Sequence, residues 1–323
     1  MRPGAARALL AGGARCGPGR DAGLARARPL ADQRYPLWRG GRYLWPHPSR
    51  RGVHPLVIWL APEFAARLPR PWKCVADAFH VQGEVRKEIA GRGRRTLRFE
   101  LEGRGYFLKL HWGVGWREIF KNLASGRLPV LGAANEWHAL QRLPELGIET
   151  MVLQGYGREG WNPARQRSFV VTRELEKVVS LEHHCAGWKE DPPEPRHKWT
   201  LIRRVAEMTR RLHRGGLNHR DLYICHFLLQ QPWSGGEEDL HLYLIDLHRV
   251  QQRNRVPLRW RAKDLGSLWF SAMETGLTRR DRLRFLQTYF DAPLREVLKR
   301  EEKLLRAVER RALALKAKGI PDE

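Results

Sequence analysis

Cysteine is scarce in this 323-residue chain: Cys16, Cys74, Cys185 and Cys225 are scattered, with no C-x-x-C pair. That spacing excludes a disulfide scaffold and a zinc finger, and it fits a reducing compartment. Long apolar runs are missing as well. The best candidate, PLVIWLAP at 55–62, is fenced by prolines and far short of the ~18 residues that span a bilayer, so a transmembrane protein is not expected. Negative charge is thin, with 35 Asp and Glu against 59 Lys and Arg, a net charge of +24 and a pI near 10.8. Such a field favours anionic partners: nucleic acid, phosphorylated ligands or an anionic membrane surface. No helix-turn-helix, zinc or RNA-recognition motif is present, so no nucleic-acid partner is expected. There is also no repeat of solenoid length, and the turn at 90–96 between the first strands carries no G-x-G-x-x-G.

Residues 1–53 contain no Lys, and their only acidic residues are Asp21 and Asp32. Rich in Arg, Gly, Ala and Pro, they bury too little apolar surface to offset the entropy of ordering them, which predicts a disordered basic extension. A transit peptide or polybasic arm is the functional alternative; a secretory signal is not expected. From 81 to 110, GEVRKEI, TLRFELEG and GYFLKLHW read as short strands, and LRFEL alternates apolar and charged residues at the strand period. Residues 116–147 read as helices broken by Pro129 and Gly132, SFVVTREL (168–175) as a buried strand, and 196–216 as a long helix. A strand over 240–250 and helices at 264–273 and 279–290 follow. The expectation is an α+β, bilobal fold. It has a basic extension at 1–53, a small β-rich N-lobe at 54–174 and a larger helical C-lobe at 175–323 with a basic C-terminal helix.

The chemistry concentrates in NHRDLYICHFLL (218–229) and LIDLHR (244–249). Asp221 and Asp246 stand 25 positions apart, each beside an apolar run, and half-buried carboxylates need a metal, a base contact or an arginine. Upstream, Lys109 lies inside an apolar strand and Glu136 follows on a helix 27 positions later. Lys on a strand, Glu on the next helix, Asp in an H-R-D loop and Asp after a strand form the layout that phosphoryl transfer from ATP requires. Each residue has a plainer reading: a snorkelling lysine for Lys109, a solvated helix face for Glu136, and cap or turn carboxylates for Asp221 and Asp246.

The chain resembles protein-kinase-like enzymes, and within them the lipopolysaccharide core heptose(I) kinase family. The resemblance is carried by RRTLRFE (94–100), YFLKLHWGVGWREIFKNL (106–123), LPVLGAANEW (128–137), NHRDLYICHFLL, LIDLHR, RWRAKDL (259–265) and GLTRRD (276–281), and it runs from about residue 54 to the end. It implies ATP and Mg²⁺ as cofactors, with Lys109 on the α- and β-phosphates and Glu136 holding its ammonium. Asp221 would orient the acceptor hydroxyl and accept its proton, and Asp246 would bind Mg²⁺. It also implies that Asp264 braces the catalytic-loop backbone. His226 stands where kinases usually carry a metal-binding Asn, either as a ligand or phosphate contact or as a structural histidine. Leu247 and His248 replace the usual Phe-Gly after the metal Asp. In AGRGRRT (90–96), Gly91 and Gly93 would let backbone amides approach phosphate, with Arg94 and Arg95 adding charge; an ordinary basic hairpin turn is the alternative. Adenine would dock on the connector near Thr172 to Leu175.

By the same resemblance, the acceptor is the lipopolysaccharide core glycolipid, phosphorylated on its first heptose at O4. The enzyme would be cytoplasmic and peripherally bound to the anionic face of the inner membrane. The basic stretches 210–214, 253–263 and 298–318 would meet anionic head groups. The last is amphipathic through Leu304, Leu305, Val308, Leu313 and Leu315, and packing on the large lobe is its other reading. A kinase of the same fold acting on another hydroxyl, a nucleic-acid-binding protein and a pseudokinase remain as alternatives.

Overall fold

The computed structural model describes residues 56–89, 93–124 and 129–319. The basic extension predicted for 1–53 lies outside the described residues, as does Gly91.

An antiparallel sheet comes first. Its strands are β1 (Leu56–Leu60), β2 (Glu84–Ile89), β3 (Arg94–Leu101), β4 (Arg104–His111), β5 (Leu153–Glu159) and β6 (Arg167–Arg173), in the order β1-β5-β6-β4-β3-β2. The alternation read in the sequence sets its faces. Leu97 and Phe99 of β3 and Tyr106, Leu108 and Leu110 of β4 point to one side, where they pack with Phe169 and Val171 of β6. Short helices α1 (Pro62–Ala65) and α2 (Val75–Phe79) cover that side, and Phe64 stands within 5.1 Å of the Tyr106 ring. Leu108 and Leu110 are fully buried, which is worth about 1.5–3 kcal/mol each. The same period turns Lys109 to the opposite face, between Thr96 and Val170 on the flanking strands. Helices α3 (Gly115–Ala124) and α4 (Ala134–Glu145) follow β4, as the break at Pro129 and Gly132 predicts.

Beyond β6 come β7 (Val178–Ser180), α5 (Leu181–His184), α6 (Pro195–Arg214), β8 (Leu217–Asn218), β9 (Phe227–Gln230), β10 (Leu242–Leu244) and β11 (Gln251–Gln252). The chain closes with α7 (Leu258–Ser271), α8 (Arg279–Phe290), α9 (Leu294–Arg300) and α10 (Glu302–Ala317). Pro195 opens α6, where its missing N–H costs nothing, and Leu201, Val205, Met208 and Leu212 bury one stripe of it. The helix gives out at Gly215, and Gly216 turns the chain at φ +80°, where a Cβ would stand 2.0 Å from the Arg253 carbonyl. That close approach lets β8 pair with β11, and the Arg253 amide donates back to the Gly216 carbonyl at 2.8 Å. The strand expected over 240–250 is shorter: β10 stops at Leu244, and Leu247–Arg249 forms one 3-10 turn. Of the two readings of the C-terminal helix, packing is the one seen. Leu304, Val308, Ala312 and Leu315 are buried against α7 and its neighbours, while Leu313 stays exposed.

Candidate active site

Three structural devices converge on the space between the sheet and the helices. The first is an ion pair. Lys109 leaves the middle of β4 and meets Glu136, in the first turn of α4, at 2.5 Å. Glu136 is fully buried, and its second oxygen, Oε2, has no hydrogen-bond partner among the described residues. Helix α4 in turn packs on the 3-10 turn that follows Asp246, which ties the ion pair to the second device.

That device is Asp246, placed just beyond β10 with a left-handed backbone (φ +58°). His248 Nδ1–H donates to its Oδ1 at 2.6 Å, and His226 Nε2 lies 3.6 Å from its Oδ2. Burial alone would push the Asp246 carboxyl up. The hydrogen bond and charge of His248, joined by the charges of Lys109 and His226, outweigh burial and hold it well below the usual carboxylate range. His226 Nδ1–H donates to the Asp221 carbonyl at 2.8 Å, which leaves Nε2 facing Asp246. On the sheet side, burial first, and then Arg94, Lys109 and His248, push His111 down to about 3, so it is neutral.

The segment His219–Asp221 is the third device. Asp264 of α7, fully buried, accepts the backbone N–H groups of His219 and Arg220 at 2.7 Å each, and His213 Nε2 at 3.2 Å. This is the bracing role expected of it. It also holds Arg220 at φ +77°, a conformation costing a non-glycine residue about 1–2 kcal/mol. His219 Nε2–H donates to the Ile245 carbonyl at 2.9 Å, joining this loop to the Asp246 segment. The Asp221 side chain is left facing two cations. Arg249 Nη1 stands 2.8 Å from both of its oxygens, and Lys263 stands 3.7 Å from Oδ1. Burial pushes the Lys263 ammonium down to about 8, with Arg249 and Arg220 adding to the effect and Asp221 opposing it.

Contacts link Lys109 to Glu136, and Asp246 through His226 to Asp221, while the charge of Lys109 acts on Asp246. Gly93 has a different task. Its φ is +58°, and a Cβ there would stand 2.6 Å from the Gly113 carbonyl, so it lets the turn before β3 lie on the loop after β4. Arg95 is occupied by Glu88 at 2.8 Å and by the Trp112 ring. Sequence reasoning assigns no catalytic role to Arg249 or Lys263. Their signal is present, because both lie in quoted motifs, but only the tertiary structure brings positions 249 and 263 onto Asp221.

The model of the lipopolysaccharide kinase (Kdo/WaaP) family matches residues 77–289. The chain belongs to that family. The matched span contains every described residue of the site. The curated lipopolysaccharide core heptose(I) kinase WaaP of Pseudomonas aeruginosa is 54% identical over 232 residues, covering 72% of this chain and 86% of that protein. WaaP of Escherichia coli K12 is 51% identical over 243 residues, covering 75% and 91%. A solved structure, WaaP in complex with acyl carrier protein, superposes with a TM-score of 0.69 at 46% identity, covering 80% of this chain and 99% of that one. Membership of the family makes the chain a kinase with a hydroxyl acceptor and ATP as its phosphoryl donor, on a kinase-like fold.

Proposed function

We propose that this kinase phosphorylates the first heptose of the lipopolysaccharide inner core, at O4. The assembled Lys109–Glu136 pair, electrostatically coupled to Asp246, is the observation that carries the reading. Phosphoryl transfer asks the protein for position and charge rather than covalent work. Lys109, oriented by Glu136, takes the α- and β-phosphates. Asp221 orients the sugar hydroxyl and accepts its proton. Lys263 and Arg249 hold Asp221 in place and set positive charge beside the transferred group. Gly93, which seats the turn before β3 on the loop after β4, would lie at the edge of the loop over the phosphates.

The donors suit Mg²⁺ in part. Among the described residues, no group of three or more His, Cys, Asp or Glu side chains gathers to hold a metal alone. Mg²⁺ in kinases is held by one or two carboxylates together with substrate phosphates, and Asp246 is such a carboxylate, with His226 facing the same space. Imidazole suits a hard cation poorly, so Asp246 is the main ligand. When bound, Mg²⁺ would supply positive charge to offset that of the phosphates.

The acceptor assignment rests on the names of the relatives and on the +24 charge, which suits an anionic glycolipid at the cytoplasmic face of the inner membrane. No helix among the described residues is long and apolar enough to cross a membrane, so contact there would be peripheral. The relative solved with acyl carrier protein supports that protein as a further partner. The test is incubation of the purified protein with ATP, Mg²⁺ and dephosphorylated core glycolipid. A mass gain of one phosphate on the first heptose is expected. No transfer to the glycolipid, together with phosphorylation of a peptide, would overturn the assignment.

A further inference from the structure

The basic stretches 210–214, 253–263 and 298–318 are distant in sequence, and apart from Lys263 they take no part in the transfer described above. The fold brings them to one place. A cavity of about 260 Å³ is lined by Arg210, His213 and Arg214 from the end of α6, by Arg255 and Arg261 around the start of α7, and by Arg300 at the end of α9. Its acidic complement is small. Glu301 is shared between Arg261 at 3.0 Å and Arg300 at 3.4 Å. Asp291, at the margin, is shared between Arg210 at 2.8 Å and Arg214 at 3.5 Å. Arg255 is exposed and forms no ion pair among the described residues.

Five guanidiniums thus face two carboxylates, which leaves N–H donors unclaimed around a concave space. Guanidinium forks match phosphate oxygens in pairs, and several such forks in a partly enclosed site bind a multiply charged anion far better than a flat basic surface does. The floor is closed by Val256, Tyr289 and Phe290, so an occupying phosphate would be partly desolvated and its ion pairs strengthened. The volume suits a phosphate-bearing group rather than a whole nucleotide.

None of Lys109, Glu136, Asp221 or Asp246 lines this cavity. It lies behind the catalytic loop: His213 contributes to its wall and bonds Asp264 at 3.2 Å, and Asp264 carries the loop backbone on its other contacts. We propose that this cavity is a second anion-binding site, taking a phosphomonoester or diphosphate group and separate from the nucleotide cleft. The site does not depend on which hydroxyl the enzyme phosphorylates.

The full-length protein would be titrated with inorganic pyrophosphate by calorimetry, with the nucleotide cleft first saturated by a non-hydrolysable ATP analogue and Mg²⁺. One further binding event is expected, weakened at least about tenfold by Arg210→Gln and by Arg255→Gln. Arg255 has no ion pair to lose, so that variant keeps the fold. Absence of binding once the cleft is filled, or equal affinity in both variants and wild type, would overturn the proposal. Sedimentation with phosphatidic acid vesicles, against phosphatidylglycerol vesicles of equal charge, identifies the source. A loss in the variants confined to phosphatidic acid assigns a lipid head group, and no such difference assigns a soluble phosphate.

Discussion

Replacing Asp264 with Asn changes almost no volume, yet it strikes the joint on which the catalytic loop rests. The carboxylate accepts the N–H groups of His219 and Arg220, one on each oxygen, at 2.7 Å, and also receives His213. An amide offers one oxygen and one NH₂ group. Whichever way the substituted amide turns, a backbone N–H meets a donor inside a fully buried site. One unsatisfied buried donor costs about 1–3 kcal/mol, and loss of a charged acceptor raises the figure to roughly 3 kcal/mol. At about 2–4 °C per kcal/mol for a chain of this size, the melting temperature should fall by on the order of 6–12 °C. Arg220 would be free to leave its left-handed conformation, and Asp221 would move with it, so kcat should fall by about 10²-fold or more. Calorimetry and a phosphoryl-transfer assay on the same preparation read both effects. Asp221→Asn, measured alongside, should keep its melting temperature while losing transfer. An Asp264→Asn protein melting within a degree of wild type, with kcat within twofold, would refute the reasoning.

Lys109→Met and Glu136→Gln should each raise the KM for ATP by about tenfold or more, and the double variant should be little worse than either single one, because both remove one ion pair; full additivity would show that the two side chains act separately. Lys263, pushed down to about 8 by burial, is charged below that pH and loses its proton above it. Transfer should therefore decline as pH rises through about 8, and Lys263→Arg should move that limb to higher pH; an unchanged limb in the arginine variant would remove Lys263 from the transfer step.

Much of the site was legible because its signals are local. The alternation in β3 and β4 shows in the sequence, and it is the same alternation that faces Lys109 away from Leu108 and Leu110. Asp221 and Asp246 announce themselves as carboxylates beside apolar runs, and Lys109 in an apolar strand and Glu136 on a later helix are the cation and anion that meet. Other parts were not legible for equally physical reasons. Strand β5 contains Gly155 and Gly157, which dilute a strand signal, and its place between β1 and β6 depends on Phe169 packing over Gly157. PLVIWLAP, too short to span a bilayer, supplies β1 instead. The meeting of Arg249 and Lys263 on Asp221, and of three basic stretches around one cavity, arises from contacts between distant segments. A charge run names its own sign but not its neighbours.

The most direct measurement of the central claim is single-turnover transfer from ATP to the dephosphorylated core glycolipid by Asp221→Asn, with nucleotide affinity measured on the same sample. The account predicts ATP binding close to wild type and phosphate transfer reduced by at least about 10³-fold, as expected when the group that orients the acceptor and takes its proton is lost. An Asp221→Asn enzyme that still phosphorylates the glycolipid at a rate near wild type would contradict it.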